Sequence, residues 1–366
     1  MQVLIDATPL LIRSAGVKNY LYHWIAALQR TAPVGSIRTF PRLGERNTLN
    51  HEGSIAGFLP TYSGLAALAL SNHMRLPVLD TLAGGADIFH ASSLVRHPPR
   101  RPRLTTTLHD LSSSIMPEVH PAANHKADSQ LAEHLRRAQG IIAVSESTRN
   151  DAVRLLGIPP EKIVVIYSGV SDAFFHVAAS NIAKVKERYG LRRPFVLSIG
   201  TVEPRKNMSA LVSAFEALPA ALLDEFELVI AGPMGWASRD TALRVRTVRY
   251  LGYVPERDIA SLTAAAAVFA YPSLYEGFGF PVAQAMAAGV PVITSNVSAL
   301  PEIAGDTALL VDPRSHAELR DALKRLLEYP EVGVRMAARG RNRAEMFRWD
   351  ACAVKSMQFF RAVMGG

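Results

Sequence analysis

The sequence predicts an α/β protein made of two doubly wound, Rossmann-like domains with parallel sheets facing across a cleft. The chain has 366 residues, 49% of them hydrophobic and 20% charged, which exceeds one average core and favours two. Short apolar runs alternate with helix-like stretches from end to end, and the alternation restarts near residue 195. Near-continuous apolar strands joined by helices imply parallel sheets covered on both faces, and two such series imply two domains.

The first run, VLIDA (3–7), lacks a basic leader and carries Asp6 inside its apolar stretch, so it reads as a buried strand and not a signal peptide. Val17, Tyr20, Leu21, Trp24, Ile25 and Leu28 then recur at the spacing of one helical face. DIFHAS (87–92), LTTTLH (104–109), IIAVS (141–145) and IVVIY (163–167) continue the strand series, and STRNDAVRLLG reads as a helix stopped by Gly157. The second series comprises FVLSIG (195–200), ELVIAG (227–232), VRYLGYV (248–254), VFAYPS (268–273), PVITS (291–295) and ALLVD (308–312). Small and polar residues between 170 and 190 mark the seam. Trp349, Val354, Met357, Phe360 and Met364 lie on one face of a last helix, which needs an apolar surface. The expected division is therefore 1–172, 173–346, and a terminal helix, 347–366, packing back toward the first domain.

Charge and composition exclude several classes. The formal charge is +8, with 17 Lys and Arg against 12 Asp and Glu in residues 1–170. This mild, interspersed excess suits phosphorylated ligands or an anionic membrane surface and argues against a nucleic-acid groove. A single cysteine, Cys352, excludes an intrachain disulfide framework, and a reducing, cytoplasmic compartment fits it. No apolar stretch reaches the length of a membrane span. RHPPRRPR (96–103) reads first as a solvated proline-rich loop, with contact to anionic head groups at the inner face of a membrane as the alternative. Fingerprints of nicotinamide enzymes, P-loop enzymes, zinc proteases and α/β hydrolases are missing. No Asp-x-Asp stands ready to hold a divalent cation against a diphosphate, so a metal-free site is expected. Nine of the eleven histidines precede residue 170, most without metal-ligand spacing, and read as surface or satisfied polar residues.

Ligands of open parallel sheets bind beyond the carboxyl ends of the strands, so polar residues there carry most weight. In GTVEPRKNMSALVSAF (200–215), Arg205 and Lys206 precede a helix whose N-cap is expected at Asn207. Cations at that positive helix end are disfavoured by roughly 0.3–1 kcal/mol each. A bound anion would offset this; the alternative is that both side chains extend into water with Glu203 as an ion-pair partner. In YEGFGFPVAQAM, Glu276 ends a strand, Gly277-Phe278-Gly279 turns, and Pro281 suits the first helical position. Glycines there allow close backbone approach to phosphate or sugar oxygens, and Glu276 offers a carboxylate to neighbouring sugar hydroxyls. Gln284, one turn into the helix, is placed to bond a second polyol.

Together GTVEPRKN, YPSLYEGFGFPVAQAMAAGVPVITSNVSALPEIAGDTALLVDP, TLHDL and IIAVSESTRNDAVRLLGIPPEKIVVIYSGV resemble the family 4 retaining glycosyltransferases, which have the two-domain GT-B fold. The resemblance runs from IDATPL…AGVKNY to RAEMFRWDACA. It implies that Arg205 and Lys206 bind the donor diphosphate, that Glu276 contacts the transferred sugar, and that Gln284 replaces a glutamate that usually contacts the ribose. A neutral amide there implies ribose binding weaker by roughly 1 kcal/mol, or an altered nucleotide preference. His109 matches the histidine beside the transferred sugar, and Gly16 the N-terminal glycine loop, with Lys18 where relatives often carry arginine. Gly200, Thr201 and Tyr253, at the ends of strands 195–200 and 248–254, join Gly277, Phe278 and Gly279 as expected donor-binding residues. Ser145 and Glu146 are suspected of lining the cleft.

The activity implied is transfer of a hexose, mannose first, from a GDP- or UDP-sugar to a saccharide or lipid-linked saccharide in surface polysaccharide synthesis, without a metal or other cofactor. Two alternatives stand: an epimerase or phosphorylase of the same fold, and a non-catalytic nucleotide-sugar-binding partner, which Gln284 encourages.

Overall fold

A computed structural model describes the chain except for residues 15, 44–48, 75–76, 121–124, 237–238 and 366; Ala15 of the AGVKNY segment thus lies outside the described residues. The chain forms two compact units, Met1–Gly169 with Trp349–Gly366, and Val170–Arg348.

In the first unit, β1 (Val3–Asp6), β2 (Ile37–Phe40), β3 (Ile88–Ala91), β4 (Arg103–Leu108), β5 (Gly140–Ala143) and β6 (Ile163–Val165) form a sheet in the order β2-β1-β3-β4-β5-β6. All its pairings are parallel. Every residue of β1, β3 and β5 is buried, which is why these strands read as continuous apolar runs. Edge strand β2, IRTF, exposes Arg38 and is not visible in the apolar pattern. The helix Phe58–Met74 also escapes that pattern, because it carries no charged residue and its apolar residues form no periodic face. The predicted helix stop at Gly157 is a left-handed residue (φ 61°) whose N–H bonds back to Val153 O.

The terminal helix Trp349–Gly365 belongs to this unit and packs on the helix Gly16–Thr31. Trp24 Nε1 donates to Ser356 Oγ (2.9 Å), and Phe360 meets the Trp24 ring. A Cβ on Gly140 would lie 2.7 Å from Val363 and 2.8 Å from Phe359, so a glycine at the head of β5 lets the helix close onto the sheet.

The second unit has β7 (Phe195–Ile199), β8 (Glu227–Ala231), β9 (Arg249–Gly252), β10 (Val268–Tyr271), β11 (Val292–Ser295) and β12 (Leu309–Val311), in the order β12-β11-β10-β7-β8-β9, all parallel. From β7 the chain winds outward through β8 and β9, then returns to β10 on the other side of β7. The gap beyond the carboxyl ends of β7 and β10 is thus a topological switch point, where open α/β sheets bind ligands. The seam falls between Gly169 and Val170, and residues 170–190 carry the helices Asp172–Phe175 and Ala179–Arg188 of this unit.

Candidate functional site

The switch point of the second unit gathers four charged side chains from two strand-end segments. Pro204–Lys206 form a 3-10 turn after β7, and Glu276 lies in the loop after β10. Lys206 Nζ donates to Glu276 Oε1 (2.5 Å) and to Tyr271 Oη (2.7 Å). Arg205 Nη1 lies 3.0 Å from Glu276 Oε2, while its Nη2 donates to Glu203 Oε1 (2.7 Å). Tyr271 Oη donates to Glu276 Oε1 (2.9 Å), and Ser273 Oγ lies 2.7 Å from the same oxygen. The four charged side chains are only 5–12% exposed.

Of the alternative reading, the ion pair of Arg205 with Glu203 is present, but neither cation extends into water: both turn inward onto Glu276. Asn207 does occupy the N-cap position of the helix Met208–Glu216, but its side chain makes no cap; it is left-handed (φ 56°) and its Nδ2 donates to Pro313 O (2.7 Å). That conformation turns the chain sharply after Lys206, so that adjacent residues reach the same carboxylate.

Electrostatics fix the protonation of the cluster. Burial alone would raise the Glu276 pKa, but Arg205 and Lys206 hold it at about 2. Burial pulls the Lys206 ammonium below its ordinary range against the attraction of Glu276. Burial, with the Glu276 charge beside it, pushes the Tyr271 phenol well above its usual value. Glu276 is therefore an ionised acceptor and Tyr271 a neutral donor.

Backbone geometry supports the loop. Gly279 is left-handed (φ 95°), and a Cβ there would lie 2.7 Å from Leu300 Cδ2. The helix begins at Phe280, so Pro281 is its second residue and not its first. Glu276 N donates to Ser298 Oγ (2.9 Å), and Phe278 packs edge-on against Phe280 and Phe347. Gly200 and Thr201 are half-buried at the end of β7. Across from them a Cβ on Gly232 would stand 2.0 Å from Gly200 O, so the loop after β8 seats directly on the loop after β7. Tyr253, after β9, is 37% exposed. Gln284 is half-buried, and its side chain forms no hydrogen bond among the described residues. A groove of about 500 Å³ lined by Phe226, Ala267, Pro291 and Gly333 opens at the opposite, amino-terminal end of this sheet and contains none of the expected residues.

In the first unit Gly16 starts the helix Gly16–Thr31 and His109 follows β4. A Cβ on Gly16 would meet nothing within 4 Å, so packing within the described residues does not demand a glycine. Tyr20, one turn into that helix, meets the His109 ring edge-on at 4.9 Å between centroids. Burial lowers the His109 pKa to about 4 despite Asp110 beside it, and its Nε2 is buried without a hydrogen-bond partner among the described residues. Asp110 Oδ1 instead accepts from Ser112 N and Oγ. Lys18 is fully buried and donates to Asn50 O (3.0 Å) and Gly53 O (2.7 Å), so it clasps a loop. Ser145 is an N-cap, accepting from Thr148 N (3.0 Å).

Comparison with known proteins shows the family of the chain. Residues 15–174 match the family described as Glycosyltransferase Family 4, and residues 181–343 match Glycosyl transferases group 1. The chain is 35% identical over 272 residues to the O-antigen chain mannosyltransferase B of Escherichia coli, covering 72% of this chain and 71% of that one. The chain is a family 4 glycosyltransferase. A second E. coli relative, the serotype-specific mannosyltransferase WbdA, is 27% identical over 64% of this transferase, which spans only 30% of that longer protein. The fold is shared with the sucrose-phosphate synthase of Thermosynechococcus elongatus (TM-score 0.78, 21% identity) and with Anabaena HepE in complex with UDP-glucose (TM-score 0.73, 18% identity), each covering the whole of both chains. The transferase thus has the GT-B fold.

Sequence reasoning missed several neighbours of the expected site residues. Tyr271 and Ser273 carried a signal, since they alternate at the end of a strand three to five residues before Glu276. Glu203 was visible only as an ion-pair partner, and Ser298 and Gly232, contributed by other loops, had no local signature.

Proposed function

We propose that this glycosyltransferase moves a mannosyl residue from a nucleotide diphosphate sugar, GDP-mannose first, to a saccharide or lipid-linked saccharide in surface polysaccharide synthesis, keeping the anomeric configuration. The observation that carries the reading is the Arg205–Lys206–Glu276 cluster at the switch point of the second unit. The names of the two E. coli relatives favour mannose and a polysaccharide product.

Bond breaking at the anomeric carbon leaves positive charge on the sugar ring and negative charge on the departing diphosphate. Arg205 and Lys206 are the groups that would take up that negative charge, exchanging Glu276 for phosphate oxygens. Glu276, ionised and relieved of its cations, would then accept from hydroxyls of the sugar. Gln284 would serve the ribose, and neutral His109 would lie beside the transferred sugar. Arg205, Lys206 and the amides of the two helix starts would do this without a metal.

A thermal-shift panel of GDP-, UDP-, ADP- and dTDP-sugars in EDTA tests donor and metal together, followed by a transfer assay with Lys206→Ala. GDP-mannose should protect most, EDTA should not abolish the protection, and Lys206→Ala should abolish transfer. Protection by donor with no nucleoside diphosphate released to any acceptor would indicate a non-catalytic binder, and sugar inversion without acceptor an epimerase.

A further inference from the structure

Among the described residues only two that are not glycine adopt a left-handed backbone, Asn207 (φ 56°) and Ser298 (φ 54°). They belong to different loops, yet both adjoin the Arg205–Lys206–Glu276 cluster: Asn207 follows Lys206, and Ser298 bonds to Glu276. Asparagine tolerates this conformation, whereas serine is not among the residues that visit it routinely. A backbone that costs stability persists only where its surroundings hold it, and such positions gather at functional sites.

Ser298 is half-buried in the loop after β11. Its hydroxyl donates to Val297 O (2.7 Å), which uses the one proton and leaves the oxygen to accept from Glu276 N (2.9 Å). The next residue completes the grip, with Ala299 N donating to Glu276 O (3.3 Å). Both backbone polar groups of Glu276 are thus bonded to two consecutive residues of another loop. That loop is itself anchored: Asn296 N donates to Val311 O (2.9 Å) in β12, and Leu300 lies against Gly279.

We infer that Ser298 is a positioning residue for transfer, holding the backbone of Glu276 so that its carboxylate stays aimed at the donor sugar after Arg205 and Lys206 turn to the diphosphate. The inference rests on the proposed contact of Glu276 with the transferred sugar. Without donor the carboxylate has four holders, Arg205, Lys206, Tyr271 and Ser273. Departure of the two cations leaves Tyr271 and Ser273, both on Oε1, and frees Oε2 for sugar hydroxyls. The direction of Oε2 is then set by the bonds to Oε1 and by the backbone that Ser298 grips. The grip therefore matters when a sugar is bound, and not for the nucleotide alone.

Calorimetry and thermal unfolding of the full chain, with GDP and with GDP-mannose, test this through three substitutions. Ser298→Ala removes the acceptor and keeps the unfavourable backbone, Ser298→Gly removes the acceptor and relieves the backbone, and Ser298→Thr keeps the hydroxyl and worsens the backbone. Ser298→Gly should melt about 2–4 °C above Ser298→Ala. Both should nevertheless bind GDP-mannose roughly tenfold more weakly than wild type, the worth of one charge-assisted hydrogen bond, and bind GDP within about twofold of it. Ser298→Thr should melt below wild type and keep the wild-type ratio of the two affinities. GDP-mannose binding that instead follows the melting temperature, with Ser298→Gly at wild-type strength, would make Ser298 a purely structural residue and overturn the inference alone. A wild type that fails to bind GDP-mannose would overturn the donor reading, and the inference with it.

Discussion

Glu276 is held by two cations and two hydroxyls, so its charge controls what the cations have left to offer. In Glu276→Gln the cluster gains one net positive charge, and Arg205 and Lys206 lose their strongest intramolecular competitor. Titration calorimetry should find nucleoside diphosphate binding tightened severalfold, on the order of 1 kcal/mol, while transfer falls by two orders of magnitude or more. Weaker diphosphate binding in this variant would mean that the cations need the carboxylate for their geometry. The histidines of the first unit give a second prediction. His90, whose ring nitrogens lie 3.0 Å from the Thr105 and Thr107 hydroxyls, is pushed by burial to about 3, and His109 to about 4. Their folded values lie below the unfolded one near 6.5, so the unfolded chain binds more protons and stability falls as pH drops from 6.5 toward 4. Each group contributes a slope of up to about 1.4 kcal/mol per pH unit. Urea unfolding of His109→Asn across that range should be visibly flatter than wild type, and a donor-binding profile unchanged between pH 6 and 7 should show that His109 does not titrate there.

At the scale of elements, the junction between the loops after β7 and β8 is the tightest contact near the cation pair. Gly232→Ala places a methyl 2.0 Å from Gly200 O at a backbone angle of φ +138° that side chains rarely adopt. Thermal unfolding should show a loss of about 2–4 kcal/mol, and donor affinity should fall with it because Thr201 to Lys206 are displaced. This contact joins residues thirty-two positions apart, so no local pattern announces it. The buried strands were legible because both faces are covered, which writes them as unbroken apolar runs. Edge strand β2, with polar residues at two of its four positions, left no such trace. The helix Phe58–Met74 was hidden for the opposite reason: it has no charged residue, and its exposed side mixes Phe58, Leu59 and Met74 with Ser63, so no period of 3.6 emerges. Arg205, Lys206 and Glu276 could be read as ligand-facing from their places at strand ends, but not the fact that they hold one another, since the pairing crosses seventy residues.

Over the whole molecule, each unit has its own core and its own parallel sheet, yet the first is assembled from both ends of the chain. Without the helix Trp349–Gly365 the buried side chains of Tyr20 and Trp24 would face solvent, and the Trp24 indole N–H would lose its acceptor, Ser356 Oγ. A chain ending at Arg348 should therefore lose the near-ultraviolet signal and cooperative unfolding of the first unit, while residues 170–348 still bind nucleoside diphosphate by calorimetry. Retention of two cooperative transitions in the shortened chain would show that the helix is an accessory. The circuit also has a consequence for biosynthesis. Domains ordinarily mature in the order in which they leave the ribosome. Here residues 1–169 must wait, with the Trp24 side uncovered, until residues 349–365 have emerged, whereas residues 170–348 can reach their final form while still tethered. A stop codon at Trp349 would spare residues 170–348 and leave residues 1–169 without the helix that covers them, the longest-lived target for a holdase.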